Sequence, residues 1–154
     1  MPATKLKAFL DNHGVRYVNI RHSVAFTASE VAESVHVKGR DFAKTVIVKI
    51  GHMMAMVVLP ASRRIVLHDL REMLGSNELR LATEAEFKGA FPDCEVGAMP
   101  PFGNLYGMPV YVAASLTEET EISFNAGTHS EVIQMAYDDF AELVKPMVLD
   151  FVTT

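Results

Sequence analysis

The segment from Thr45 to Leu59 constrains the fold of this chain most. Thr45–Ile50 (TVIVKI) is rich in β-branched residues, Gly51-His52 is a turn pair, and Met53–Leu59 (MMAMVVL) is a second apolar run ended by Pro60. Two apolar runs around a two-residue turn read as a hairpin. Neither run alternates cleanly with polar residues, so both strands are expected to be buried near the centre of a sheet. The second run is far short of the roughly 18 apolar residues of a membrane span.

The rest of the chain supplies elements to cover that hairpin. Leu6, Phe9 and Leu10 share one face of a predicted helix over Lys5–Asn12, which Gly14 ends. Val15–Ile20 reads as a strand. Thr27-Ala-Ser-Glu30 and Thr83-Glu-Ala-Glu86 are capping-box patterns that open short helices. Ile65–Val66 is expected to add a short strand, and His68–Leu74 a helix stopped by Gly75. Gly97–Gly107 (GAMPPFGNLYG) holds three glycines and two prolines and must be irregular. Val110–Val112, Glu121–Phe124 and Val132–Met135 read as strands, and Tyr137–Val144 as a closing helix before Pro146. The expectation is an α/β (α+β) fold: one domain over residues 1–154, with a curved, largely antiparallel mixed sheet and flanking helices.

Of the 154 residues, 49% are hydrophobic and 21% charged, which suits a chain that buries a real core. The net charge of −5 argues against a protein that coats DNA or other nucleic acid. The charge is uneven, however. Residues 1–75 hold 11 Lys+Arg against 6 Asp+Glu, and residues 76–154 hold 3 against 13. Lys38, Arg40, Lys44, Lys49, Arg63 and Arg64 could meet a short anionic segment if the fold gathers them; otherwise they form a solvated face. A single cysteine, Cys94, excludes an intramolecular disulfide framework and suits a reducing cytoplasm. The N-terminus lacks the apolar core and cleavage site of a signal peptide.

Three places could carry chemistry. Lys44 opens the buried strand, where a lysine either projects into a cleft mouth to meet a phosphate or a developing carbonyl charge, or snorkels to solvent. The Gly97–Gly107 loop could present backbone N–H groups to a substrate, or be a structural crossover. His129, in the turn Asn125-Ala-Gly-Thr-His129, could donate a hydrogen bond in a pocket, or be a plain turn histidine. The six histidines form no HxxxH or HExxH pair, one cysteine allows no CxxC, and no GxSxG or phosphate-loop pattern occurs. Cys94 has no local support as a nucleophile.

Taken in order, the segments resemble the YbaK/prolyl-tRNA-synthetase-associated domain family. His22 followed by Thr27-Ala-Ser-Glu-Val-Ala32 is similar to the family's histidine and helix start. Ala43-Lys44-Thr45 resembles its lysine-threonine strand. Gly97-Ala-Met-Pro-Pro101-Phe-Gly103 is similar to its GxxxP loop, and Phe124-Asn-Ala-Gly127 to its late glycine turn. The resemblance implies hydrolysis of the ester between a wrong amino acid and the 3′ adenosine of its tRNA. It implies that Lys44 holds the terminal adenosine phosphate and positions the ester. It further implies that His22, Thr27, Thr45, Gly97, Pro101, Gly103, Gly127 and His129 contribute to the substrate site, that water is the nucleophile, and that no metal or cofactor is needed. The expected partner is the 3′ end of mischarged aminoacyl-tRNA, with an aminoacyl-tRNA synthetase as a further partner. Ala is the expected amino acid, with Ser, Thr or Cys as alternatives. The competing reading is a non-catalytic module that binds aminoacyl-tRNA or a synthetase.

Overall fold

The computed structural model describes residues 4–22 and 27–152. The helices are α1 (Thr4–Asn12), α2 (Ala28–Ser34), α3 (Leu67–Leu74), α4 (Glu84–Phe87) and α5 (Tyr137–Val144). The strands are β1 (Tyr17–Arg21), β2 (Ala43–Ile50), β3 (Met53–Pro60), β4 (Leu79–Leu81), β5 (Val110–Ala113), β6 (Glu121–Asn125), β7 (Glu131–Ala136) and β8 (Met147–Leu149).

The predicted hairpin forms β2 and β3, which pair antiparallel from Ala43–Pro60 through Ile50–Met53. Gly51 turns the corner at φ 62°, a conformation that strains any residue with a Cβ. The hairpin is central, as its apolar faces require: the larger sheet runs β4-β2-β3-β5-β8. Its β3–β5 and β5–β8 pairs are parallel and its other pairs antiparallel. The remaining strands form a second, antiparallel sheet, β1-β7-β6. A bridge between Phe42 and Ser123 links the two sheets, supported by a 3.0 Å bond from the Ser123 N–H to the Asp41 carbonyl. The seam therefore lies at the start of β2, immediately before Lys44.

Alternation along β2 sends its side chains into two cores. Ala43 and Ile47 enter the first, with Met56, Val58, Phe102, Phe124 and Phe140. Val46 and Val48 enter the second, with Val57, Leu59, Leu70 and Phe151. α1 presses Leu6 and Leu10 into the first core, and both are fully buried. β4 and β8 were not expected from the sequence, and the Ile65–Val66 strand is reduced to one bridge from Ile65 to Val152. Three-residue strands have too few positions to show a period; their partners, not their own pattern, make them strands.

Candidate functional site

Lys44 stands opposite Leu59 and shares the second-core face of β2. Its side chain lines a cleft of about 240 Å³ walled by Val46, Leu59, Arg64, Ile65 and Leu67. Burial lowers the pKa of its ammonium from the ordinary value, and the Arg64 guanidinium lowers it further by repulsion. The apolar walls and the Arg64 guanidinium disfavour the Lys44 charge, so an anion placed beside Lys44 would be strongly attracted. Of the sequence's cation cluster, Lys44 and Arg64 meet in this cleft, whereas Lys49 is tied to Glu86 at 3.1 Å.

Thr45 leaves β2 on the other face, opposite Val58 of the first core. Its hydroxyl oxygen is buried without a hydrogen-bond partner among the described residues. The lysine-threonine pair thus sends its two side chains in opposite directions.

The glycine loop and the late turn are joined. The Glu95 N–H donates to the Gly127 carbonyl at 2.7 Å, and the Gly127 N–H donates to the Ala98 carbonyl at 2.9 Å. Gly97 has φ 85°, and a Cβ there would lie 3.4 Å from the His129 ring. His129 is buried; its N–H donates to Glu95 Oε1 at 2.7 Å, and its Nε2–H donates to the Val96 carbonyl at 2.7 Å. The His22 N–H donates to the Ser130 carbonyl at 2.9 Å, so His22 adjoins the same turn. His22, Gly97, Gly127 and His129 are therefore brought together around residues 127–130. Pro101 and Gly103 are buried where the loop, through Met99 and Phe102, packs into the first core. Thr27 is exposed, and its hydroxyl accepts the Glu30 N–H at 3.1 Å in a complete capping box. That bond occupies the Thr27 oxygen with starting α2.

Sequence reasoning missed three contributors. Arg64 was visible only as one charge in a cluster. Glu95 belongs to no motif. Asn125 is buried with its Oδ1 unpartnered among the described residues, two positions along β6 from the Ser123 bridge. The alternation of Ser123 and Asn125 with apolar residues in a buried strand was the available signal. Cys94 fits an inert thiol: burial is the main cause that pushes its pKa up to about 11, and Asp93 works in the same direction. Among the described residues, His68, Asp69 and Glu72 place three metal-ligating atoms within 4.8 Å of one another. They ride on α3, where His68 already pairs with Glu72 at 3.2 Å.

The aminoacyl-tRNA editing domain family matches residues 22–143, a span that includes Lys44, Arg64, the Gly97–Gly107 loop and the 127–130 turn. The chain belongs to this family. No curated protein matches this chain. Among solved structures, a hypothetical protein has a TM-score of 0.86 at 20% identity, covering 97% of this chain and 99% of its own. A protein proposed to be a trans-editing enzyme for prolyl-tRNA synthetase has a TM-score of 0.84 at 21% identity, covering 99% and 97%. A proposed signal-transduction protein of Marinobacter aquaeolei has a TM-score of 0.75 at 18% identity; the match covers all of this chain but 31% of that one. At these identities the likenesses establish the fold. Among the described residues, no helix of the editing domain is long and apolar enough to cross a membrane.

Proposed function

We infer that this editing domain is a trans-acting aminoacyl-tRNA deacylase that hydrolyses the ester of mischarged tRNA. The observation that carries the reading is the Lys44 ammonium, desolvated beside Arg64 in an apolar-walled cleft of a chain from the editing family. Lys44 and Arg64 would hold the phosphate of the terminal adenosine, and the apolar walls would take the base. The joined Gly97 and Gly127 segments would bound the amino acid. Fixing the ester between these parts converts attack by water into an effectively intramolecular step, with the ribose hydroxyl of the substrate assisting. A fixed cation near the ester also stabilises the negative charge that develops on its carbonyl oxygen.

A pocket closed by a glycine loop discriminates most easily by excluding large side chains. That favours a small amino acid, Ala first and Ser, Thr or Cys next. The structural likeness to a protein proposed to edit for prolyl-tRNA synthetase makes tRNA-Pro the first substrate to test. The protein would then act in the cytoplasm as one domain over residues 1–154, alone or beside a synthetase.

The test is a deacylation panel with tRNA charged with Ala, Ser, Thr or Cys. Wild-type protein should release at least one amino acid, and Lys44→Ala should lower that rate by about 100-fold with an unchanged melting curve. Normal turnover by Lys44→Ala would remove the proposed role of Lys44. Binding of tRNA with no release across the panel would favour a non-catalytic module.

A further inference from the structure

We propose that Glu95 is the positioning residue of the amino-acid pocket, clasping the 127–130 turn to the Gly97 loop and fixing the protonated nitrogen of His129. The proposal rests on the editing reading for its effect on catalysis, but its geometry stands independently.

Glu95 grips the turn twice. Its N–H holds the Gly127 carbonyl at 2.7 Å, and its carboxylate receives the His129 N–H at 2.7 Å. The Ala98 N–H returns to the Glu95 carbonyl at 3.1 Å, and the Gly127 N–H reaches the Ala98 carbonyl, so the two segments close into a ring of bonds. Within that ring the imidazole is aimed at the carbonyl of Val96, the residue next to Glu95. A carbonyl only accepts, so Nε2 is the nitrogen that carries hydrogen. When the ring is uncharged, the lone pair then lies on Nδ1. The same contact seats Gly97 against the ring edge, where a Cβ would already touch Cε1. His129 therefore serves as a strut under the loop, with its Nε2–H already engaged.

A carboxylate receiving a backbone N–H is a charge-assisted bond, stronger than the solvent contact that would replace it. Its loss should free the turn to slide on the loop. A loosened pocket admits larger side chains, so the expected signature is lost discrimination, not lost folding.

The experiment compares wild type, Glu95→Ala and Glu95→Gln. Nitrogen-15 NMR on histidine-labelled protein reads the His129 tautomer without reference to activity. Wild type should show the Nε2-protonated form, Glu95→Ala a mixture of tautomers, and Glu95→Gln, whose amide oxygen still accepts, the wild-type pattern. In deacylation assays, the kcat/KM ratio for alanyl- over valyl-tRNA should fall about tenfold in Glu95→Ala and stay within about twofold in Glu95→Gln. A wild-type tautomer pattern in Glu95→Ala would overturn the clasp. A shifted tautomer with an unchanged ratio would overturn its role in selection. If wild type releases no amino acid from any tRNA, the editing reading fails, and the NMR comparison alone decides the clasp.

Discussion

Thr45 and Gly103 differ in what their positions demand. The Thr45 hydroxyl is buried and finds no partner among the described residues, although it sits in the middle of a well-paired strand. A buried hydroxyl without a bond costs stability. Thr45→Val keeps the shape and removes that cost, so it should raise stability by about 1 kcal/mol in a denaturant melt. If the oxygen serves substrate, the same variant should lose deacylation; a more stable, fully active variant would remove Thr45 from the site. Gly103 has the opposite constraint. A Cβ there would come within 2.6 Å of the Met108 carbonyl oxygen and of Val110 Cγ2. Backbone cannot yield cheaply, so Gly103→Ala should cost about 3 kcal/mol by melting, as overpacked sites do. The sequence named both residues as substrate contacts, through a motif. Strand alternation already turns Lys44 and Thr45 to opposite faces, but which core lies on each face is decided by the pairing partners Leu59 and Val58. Nor could the sequence show Arg64 beside Lys44, since a loop after β3 brings the two together.

At the scale of elements, local chemistry was legible and long-range chemistry was not. Both capping boxes are complete as read, Thr27 with Glu30 and Thr83 with Glu86, because every partner lies within three residues. Glu86 does more than its motif implied: it also receives Arg80 at 2.7 Å and Lys49 at 3.1 Å, and these bonds hold its carboxyl well below the usual range. Glu131 was not legible at all. It opens β7, is buried, and collects Lys7 of α1 at 3.1 Å, Asn19 of β1 at 3.4 Å and the Thr128 hydroxyl at 3.4 Å. One carboxylate thus ties α1, β1 and the histidine turn together. Burial alone would push its pKa up, but Lys7, Asn19 and Arg21 outweigh burial and the net shift is downward. A carboxyl lowered on folding binds fewer protons in the folded state, so its contribution is full above the ordinary value of 4.5 and fades as pH falls through the lower folded value. Stability measured from pH 7 to pH 3 should therefore fall less steeply in Glu131→Gln than in wild type. At pH 7 the variant should be roughly 2 kcal/mol less stable, the scale of hydrogen bonds to a charged group. Parallel pH curves for the two proteins would remove Glu131 from the acid response.

The whole molecule places its cation cleft by packing from a distance. The wall bearing Arg64, Ile65 and Leu67 crosses the second core after β3, and the last described residues hold it there. The Val66 N–H donates to the Phe151 carbonyl at 2.7 Å, Ile65 bridges Val152, and the Phe151 ring is wholly buried beneath. The central hairpin was readable because its own residues require burial. The cleft wall was not, because nothing in Ser62–Leu67 announces that residues some 85 positions later will pin it. Phe151→Ala should therefore act at two levels. Emptying a fully buried ring site should lower stability by about 3 to 5 kcal/mol in a denaturant melt. The void should also let the Ile65–Leu67 wall shift and carry Arg64 away from Lys44, while the Glu95–His129 clasp, whose neighbours Met99 and Ala126 pack in the first core, stays intact. Assayed below its melting temperature, the variant should show a raised KM for mischarged tRNA with kcat changed far less, because substrate holding weakens and the ester-positioning lysine remains on its central strand. A fall in kcat at constant KM would mean that the wall acts on the chemical step and that the cleft does more than hold the tRNA end.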